Sequence, residues 1–205
     1  MEVIGIRTAS LGDATYIVAI GSHAIIVDPQ RDIGRFREVL EERGLTLTHV
    51  LETHMHNDYI SGGRDLAKAL DAELVLPAAA GAGFAFVPAF HDEIIDGPAG
   101  AAIRPLHTPG HTPAHTSYLI TTGDEEPIAA FTGGSLLVGA AGRSDLLGEQ
   151  YARQLSRLQF GSLQRFAKLP DETGVYPTHG EGSFCTASGA GRTTSTVSYT
   201  HLTLP

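Results

Sequence analysis

The sequence predicts a four-layer α/β (α+β) fold, in which two β-sheets are covered by helices on their outer faces. Strand patterns and helix patterns alternate along the chain, and this alternation occurs in two successive halves. The length of 205 residues suits one domain, and 42% hydrophobic with 18% charged residues is typical of a globular protein. We assign residues 1–190 to this domain.

The first half of the chain begins with a meander of short strands. Three apolar segments, at residues 3–7, 14–20 and 23–27, are separated by turns that contain Gly12 and Gly21. Apolar residues then recur at helical spacing from Ile33 to Leu40, and Gly44 is placed to end this helix. The elements expected after it are a strand at 49–52, a helix at 66–70, a strand at 73–76 and a small-residue loop at 78–88.

The second half repeats this alternation. Strands are expected at residues 94–95, 102–106, 117–121 and 128–131. Tyr151, Leu155, Leu158 and Phe166 then form the clearest amphipathic pattern in the chain, which predicts a helix. A last strand at 175–176 leads into the run PTHGEGSFC.

Residues 191–205 are set apart from the domain as a non-native-looking or disordered tail. The run RTTSTVSYTHLTLP at 192–205 is rich in Thr and Ser and continues no earlier pattern. It resembles the read-through translation of a sequencing adapter, and a real linker is the alternative. On the adapter interpretation, we expect the natural protein to continue beyond about residue 190.

Composition limits the classes of partner. The net charge is −9 and no basic run is present, so we expect no nucleic-acid partner. A single cysteine, Cys185, cannot form an internal disulfide and indicates a reducing compartment. The N-terminus has no signal-peptide pattern, and no apolar run approaches the ~20 residues that span a membrane. We therefore expect a cytoplasmic protein without a membrane partner.

Three potential metal ligands lie within five residues of the run THMHNDY. His54, His56 and Asp58 directly follow a predicted strand, and His111 and His179 also follow predicted strands. Ligands at the ends of several strands can converge on one pocket. Imidazole and carboxylate groups suit zinc, iron or manganese better than calcium. A His-x-His pair with a third imidazole forms a facial set that leaves positions open for substrate.

The remaining histidines are expected to be capped or solvated residues. These are His23, His49, His91, His107, His115 and His201. His107 and His115 are the least secure members of this class, because they flank the loop that contains His111.

The motifs together resemble those of the metallo-β-lactamase fold superfamily. THMHNDY, TPGHT, FTGGSLL, GRSDLL and PTHGEGS occur in the order of that superfamily, from about residue 3 to residue 187. Within it, the chain resembles the glyoxalase-II-like branch that contains persulfide dioxygenases and their rhodanese-fused bacterial relatives. The resemblance implies an αββα sandwich with the metal at one edge, between the two sheets.

The resemblance also implies which residues bind metal. By motif, His54, His56 and His111 correspond to a first metal site, whereas Asp58 and His179 correspond to a second site. Each of these residues is therefore a candidate metal ligand.

Two family positions are altered in this chain. Tyr59 stands where the family run usually ends in histidine, and Gly134 stands where the family has a metal-bridging aspartate. Two cations about 3.5–4 Å apart need bridging anions, and Gly134 removes that carboxylate. We therefore predict one divalent metal per chain, with Fe(II) favoured and Zn(II) as the alternative. The resemblance implies an iron site of two histidines and that same aspartate, which Gly134 cannot supply, so we expect His54, His56 and His111 to hold the ion, alone or with Asp58.

The resemblance implies a persulfide dioxygenase-like enzyme that oxidises a glutathione-type persulfide to sulfite and thiol with O₂. The alternatives are a metal-dependent hydrolase of the glyoxalase-II or thioesterase type, and a metal-poor module that binds a sulfur metabolite beside a sulfurtransferase. The expected partners are a small-molecule thiol or persulfide, a rhodanese domain downstream, and further copies of the chain in a homo-oligomer.

Four side chains, including the candidate ligand Asp58, have expected roles in catalysis, substrate binding or packing. We expect Asp58 and Tyr59 to be catalytic; the Tyr59 hydroxyl either donates a hydrogen bond to substrate or fills space. Arg143 in GRSDLL matches the family's Gly-Arg-x-Asp motif and either binds a substrate carboxylate or pairs with Asp145. Cys185 is expected to be a buried spectator rather than a nucleophile.

Overall fold

The computed structural model of the protein describes residues 1–123, 127–185 and 192–203, with side chains described up to residue 200. Two six-stranded sheets pack face to face, and helices cover their outer faces. The boundary predicted at residue 190 lies outside the described residues. Within the described ranges, no helix combines the length and the apolar character needed to cross a lipid bilayer.

The first sheet follows the chain order. Its strands are β1 (Glu2–Thr8), β2 (Asp13–Ile20), β3 (His23–Val27), β4 (Thr46–Leu51), β5 (Glu73–Pro77) and β6 (Val87–Ala89). The first three strands are antiparallel, as a hairpin meander requires, and β3 to β6 are parallel. Helices α1 (Gly34–Arg43) and α2 (Gly63–Leu70) connect parallel strands and pack on the outer face. Gly44 ends α1 in the left-handed conformation, with φ 62°.

The second sheet has the spatial order β14-β13-β10-β9-β8-β7. Its strands are β7 (Ile95–Asp96), β8 (Ala101–His107), β9 (Thr116–Thr122), β10 (Ala129–Gly133), β13 (Gly174–Pro177) and β14 (Ser195–Thr196). A separate hairpin pairs β11 (Leu136–Leu137) with β12 (Ala140–Ala141). The helices of this half are α3 (Glu149–Phe166) and α4 (Val197–Thr203), with a 3₁₀ turn at Pro98–Gly100.

The core consists of three apolar layers that hold the sheets and helices together. Between the sheets, Tyr16 packs against Phe131 with ring centroids 5.6 Å apart, an aromatic contact within the favourable range. Phe36 of α1 is fully buried against the first sheet, and Phe166 of α3 packs with Val175 of the second. The predicted four-layer αββα sandwich is confirmed.

Most predicted elements are present, but short strands were missed. Strand β6 falls partly in the segment predicted as a loop at 78–88, and the hairpin β11–β12 was not predicted. Strands of two or three residues carry no readable alternation, so the sequence pattern cannot reveal them. In the segment set aside as a tail, Ser195 and Thr196 pair with β13 and Val197 is buried.

Asp28 joins the two sheets at the edge where their strands end. Its carboxylate accepts hydrogen bonds from the Thr53 backbone N–H at 2.7 Å, from the Thr53 hydroxyl at 2.7 Å and from the Thr178 hydroxyl. Burial opposes ionisation, but His56 and these hydroxyl donors hold the pKa of Asp28 below its usual value. Thr53 follows β4 and Thr178 follows β13, so one carboxylate fixes both sheet ends.

A second set of contacts, next to the Asp28 carboxylate, also joins the two sheets. Asp13, at the start of β2, forms an isolated β-bridge with His179, and their side chains are 2.8 Å apart. The backbone N–H of Ala14 donates to the Thr178 carbonyl at 2.8 Å. These links close the sandwich at one edge.

We expect Asp28→Ala to lower the free energy of unfolding by about 3–5 kcal/mol, because it leaves buried hydroxyl and amide donors without an acceptor. Urea denaturation measures the change. The control is Asp32→Ala, which removes a carboxylate that is 67% exposed and pairs with Arg35, and we expect it to cost less than about 1 kcal/mol. Equal losses in the two variants would contradict the linking role of Asp28.

Candidate metal centre

The five predicted ligand residues come together at this closed edge. His54 and His56 follow β4, His111 lies between β8 and β9, and His179 follows β13. The rings of His54 and His111 have centroids 4.9 Å apart, and those of His54 and His179 are 5.2 Å apart. The structure therefore brings imidazoles from both sheets to one place, as expected for ligands at strand ends.

Potential ligand atoms form three overlapping groups among the described residues, each within 4.8 Å. The groups are His54 with His111 and His179; Asp28 with His54 and His56; and His56 with Asp58 and His179. The set of His54, His56 and His111 that the resemblance implies is not one of these groups. The physical reason is the direction of the His56 ring, which faces the carboxylates of Asp28 and Asp58.

His56 is buried without a hydrogen-bond partner. Its side chain is 1% exposed; Nε2 lies 3.3 Å from Asp28 Oδ1 and 3.7 Å from Glu52 Oε2, and Nδ1 lies 3.9 Å from Asp58 Oδ1. Neither nitrogen makes a hydrogen bond, and Asp58 Oδ1 also lacks a partner. Buried polar groups are rarely left unpaired, so these atoms indicate a place for a bound group.

The donor set fits a divalent transition metal. Imidazoles predominate, and the nearby carboxylates of Asp28 and Asp58 supply negative charge that offsets a dication. Calcium would require an all-oxygen set. This cluster supports a metal-binding role for the chain.

His115 is a buried hydrogen-bonded residue rather than a ligand. Its Nε2 accepts the backbone N–H of Gly134 at 3.0 Å, and its Nδ1 lies 2.9 Å from the Thr108 hydroxyl. Its ring also stacks on His54, with centroids 5.0 Å apart. Both nitrogens are therefore occupied, and His115 holds the loop at Gly134 and one face of His54.

Sequence reasoning missed three acidic residues of this centre. Asp13, Asp28 and Glu52 are all buried beside the histidines. Asp28 and Glu52 lie at predicted strand ends, as the histidines do, and this position was the available signal. Burial, together with the nearby charge of Asp28, raises the pKa of Glu52 well above its usual range.

Gly133 and Gly134 allow the strand end to approach the imidazoles closely. Gly133 has φ 55°, and a Cβ on it would lie 2.4 Å from Thr53 Oγ1. A Cβ on Gly134 would lie 2.3 Å from Cδ2 and 2.5 Å from Nε2 of His111. No larger side chain fits at either position with the present geometry.

Tyr59 packs against the centre from one side. Its ring stacks on His56 with centroids 4.2 Å apart, and its hydroxyl donates to the backbone oxygen of Asp28 at 3.3 Å. Burial raises the pKa of Tyr59 well above its usual range, so the hydroxyl stays protonated. The contact suits the space-filling alternative, and a catalytic role for Tyr59 stays a prediction.

Arg143 forms the ion pair that was its alternative role. Two of its nitrogens each lie 2.9 Å from an oxygen of Asp145, and its guanidinium lies 5.4 Å from the ring of Phe184. The Arg143 side chain is 34% exposed, so the guanidinium can also reach an external anion. Its substrate-binding role stays a prediction.

Cys185 is fully buried, in keeping with the spectator expected from the sequence. Its Sγ lies 3.6 Å from Asp58 Oδ2.

The metal-free imidazoles have pKa values shifted in opposite directions. Burial, reinforced by neighbouring histidines, lowers the pKa of His54 and His115, and it lowers that of His111 to about 4. Burial also opposes protonation of His179, but contacts with Asp13 and Cys185 raise its pKa to about 10. His54, His111 and His115 are therefore neutral at pH 7, the form of imidazole that binds metal, whereas His179 is protonated in the metal-free chain.

A cavity of about 470 Å³ adjoins the centre. His54, His56 and Tyr59 contribute to its wall, and Phe84 and Arg64 also line it. This volume is within the range of small-molecule sites.

Comparison with known proteins identifies the family. The family model of the metallo-beta-lactamase superfamily matches residues 8–179. The chain belongs to this superfamily. A hydroxyacylglutathione hydrolase of Methylobacillus flagellatus is 35% identical over 158 residues, which cover 77% of this chain and 58% of that protein.

Two solved structures are similar to nearly the whole chain. A metallo-beta-lactamase from Staphylococcus aureus subsp. aureus COL has a TM-score of 0.90 and 31% identity, covering 99% of this chain and 63% of that one. ETHE1 from Myxococcus xanthus has a TM-score of 0.82 and 30% identity, covering 100% and 84%. The chain spans between 39 and 58% of the length of the first curated relatives.

We expect the metal-free protein to lose stability as the pH falls from about 6.5 to about 4. Unfolded His111 takes up a proton below its ordinary pKa of 6.5, whereas folded His111 does so only near 4, so acid favours the unfolded state by about 3 kcal/mol. Urea denaturation at several pH values, after chelation, measures this loss.

The matched comparison for this prediction is His111→Gln, which removes the titrating ring. We expect a shallower dependence on pH in this variant, and an exposed-site control, His91→Gln, should behave like the wild type. An unchanged dependence in His111→Gln would show that other groups cause the acid sensitivity.

Proposed function

We propose that this protein is a mononuclear metal-dependent persulfide dioxygenase, which oxidises a glutathione-type persulfide to sulfite and the parent thiol with O₂. The observation that carries the proposal is Gly134. The family's bridging aspartate is absent there, and the close approach of His111 leaves no room for any Cβ. A second cation would lack the bridging anion that a two-metal hydrolytic site needs.

The likeness to ETHE1 of Myxococcus xanthus over the full chain supports this proposal. The sequence motifs resemble those of the branch that contains persulfide dioxygenases, whose enzymes are mononuclear. Tyr59 agrees with a single metal, because a tyrosine replaces an imidazole of the family's second site.

The reaction balances as R–S–SH + O₂ + H₂O → R–SH + SO₃²⁻ + 2 H⁺. Iron(II), when bound, supplies the electron transfer that dioxygen chemistry needs. His54, His111 and neighbouring imidazoles would hold the ion, with their rings oriented by hydrogen bonds to buried groups. Burial of the ligands excludes bulk water from this face of the centre.

The chain's own contribution is orientation and charge. Asp28 fixes the loop that carries His54 through the two hydrogen bonds of Thr53. The exposed Arg143 supplies a cation for a substrate carboxylate. The cavity beside His56 gives space for a small thiol compound.

A metal-dependent hydrolase is the second candidate, and two curated relatives support it. The hydroxyacylglutathione hydrolase of Methylobacillus flagellatus is one of them. An atrochrysone carboxyl ACP thioesterase of Emericella nidulans, 31% identical over 146 residues, supports a thioester substrate. For that reaction a bound divalent metal would supply an activated water nucleophile, and the same imidazoles of His54 and His111 would hold the ion.

The deciding experiment compares the two reactions on one preparation. Protein purified anaerobically and loaded with Fe(II) or Zn(II) is given glutathione persulfide in an oxygen-electrode assay, and S-lactoylglutathione in a hydrolysis assay. We expect oxygen uptake with sulfite formation by the iron form. Hydrolysis without oxygen uptake would replace the dioxygenase proposal with the hydrolase.

The role of Arg143 has its own test. We expect Arg143→Ala to raise KM about tenfold or more for a carboxylate-bearing persulfide, because it removes a bidentate cation. Asp145→Ala is the matched control, since it breaks the same ion pair but keeps the cation. A similar KM increase in both variants would show that only the ion pair matters.

A further inference from the structure

The hydrogen-bond partners of His54 determine which of its ring nitrogens carries the hydrogen. His54 Nδ1 lies 2.9 Å from the hydroxyl oxygen of Thr53. That hydroxyl donates its single hydrogen to the Asp28 carboxylate at 2.7 Å, so towards His54 it can only accept. Nδ1 of His54 therefore carries the hydrogen, and Nε2 of the neutral ring presents a lone pair.

The same reasoning applies to His111 and His179. Nδ1 of His111 lies 2.8 Å from the backbone oxygen of Arg143, and Nδ1 of His179 lies 2.8 Å from the carboxylate of Asp13. Both oxygens can only accept, so both histidines carry hydrogen on Nδ1. With hydrogen on Nδ1, the Nε2 atom of each ring is the one available to a metal, as is common for metal-binding histidines.

The three rings converge. One ring nitrogen from each of His54, His111 and His179 lies within 4.8 Å of the others, and the Nε2 atoms of His54 and His179 are 3.2 Å apart. In the metal-free protein this contact is a hydrogen bond, in which Nε2–H of His179 donates to the lone pair on Nε2 of His54, and a bound ion would take the place of that proton. Two nitrogens bound at about 2.0–2.1 Å to one tetrahedral ion are roughly 3.3 Å apart, close to the observed separation.

His56 does not share a ligand group with His111: its ring nitrogens lie in the other two groups, with Asp28 and with Asp58. Its Nε2 faces Asp28 and Glu52, and its ring is stacked on Tyr59. Gly134 explains how His111 reaches the cluster, since a Cβ there would displace the His111 ring.

We propose that the metal is held by His54, His111 and His179, with His56 outside the set and Gly134 required to seat His111. This set differs from the His54, His56 and His111 set that the resemblance implies. The inference deepens the proposed function and rests on it through the single metal, whichever reaction that metal supports.

The test measures bound metal rather than turnover. His179→Ala and His56→Ala are loaded with Zn(II) or Co(II), separated from free metal by gel filtration, and analysed by mass spectrometry for metal per chain. We expect about one ion in the wild type and in His56→Ala, and at least a tenfold loss of affinity in His179→Ala. Loss in His56→Ala with retention in His179→Ala would overturn the assignment.

A second pair of variants keeps the test valid where His179→Ala fails to fold. Gly134→Ala should lower metal affinity at least tenfold by displacing His111. Gly161→Ala, in open space on α3, should bind as the wild type does. Wild-type affinity in a folded Gly134→Ala protein would overturn the inference.

The outcomes separate this inference from the proposed function. A wild-type chain that binds no Zn(II), Co(II) or Fe(II) overturns both. A chain that binds one ion through the expected set but turns over neither substrate overturns the proposed function alone.

Discussion

The buried carboxylate of Asp28 is the constraint on which the rest of the structure depends. It is placed at the end of β3 in the left-handed conformation, with φ 51°, and it accepts hydrogen bonds from segments that follow β4 and β13. Through Thr53 it also sets which nitrogen of His54 carries hydrogen. One ionised group therefore determines how the sheets meet and how an imidazole is presented.

The altered family positions act together. Loss of the aspartate at Gly134 removes a bridging ligand, and it also creates the space that the His111 ring occupies. Tyr59 removes a second-site imidazole and packs its ring on His56, which then faces Asp28 and Glu52. In the proposed function both positions favour one cation, and in the structure both contact the remaining histidines.

Much of the fold could be predicted because its determinants are local. Gly12 and Gly21 mark the hairpin turns, and apolar periodicity marks α1 and α3. The residues that could bind metal were also recognisable, since His54 and His111 follow strands. The direction of the His56 ring was not predictable, because it is set by carboxylates from distant segments. Family motifs identify residue types and leave such contacts undetermined.

The bridge between Asp13 and His179 has a consequence beyond catalysis. Asp13 belongs to the first sheet and orients an imidazole carried by the second. An ion bound there would link the two sheets of the sandwich in addition to binding a substrate. Because the ligands come together only in the folded chain, the ion would stabilise the folded state alone. Metal supply would then govern the lifetime of the protein in the cell, since chains without the ion would unfold and be degraded sooner.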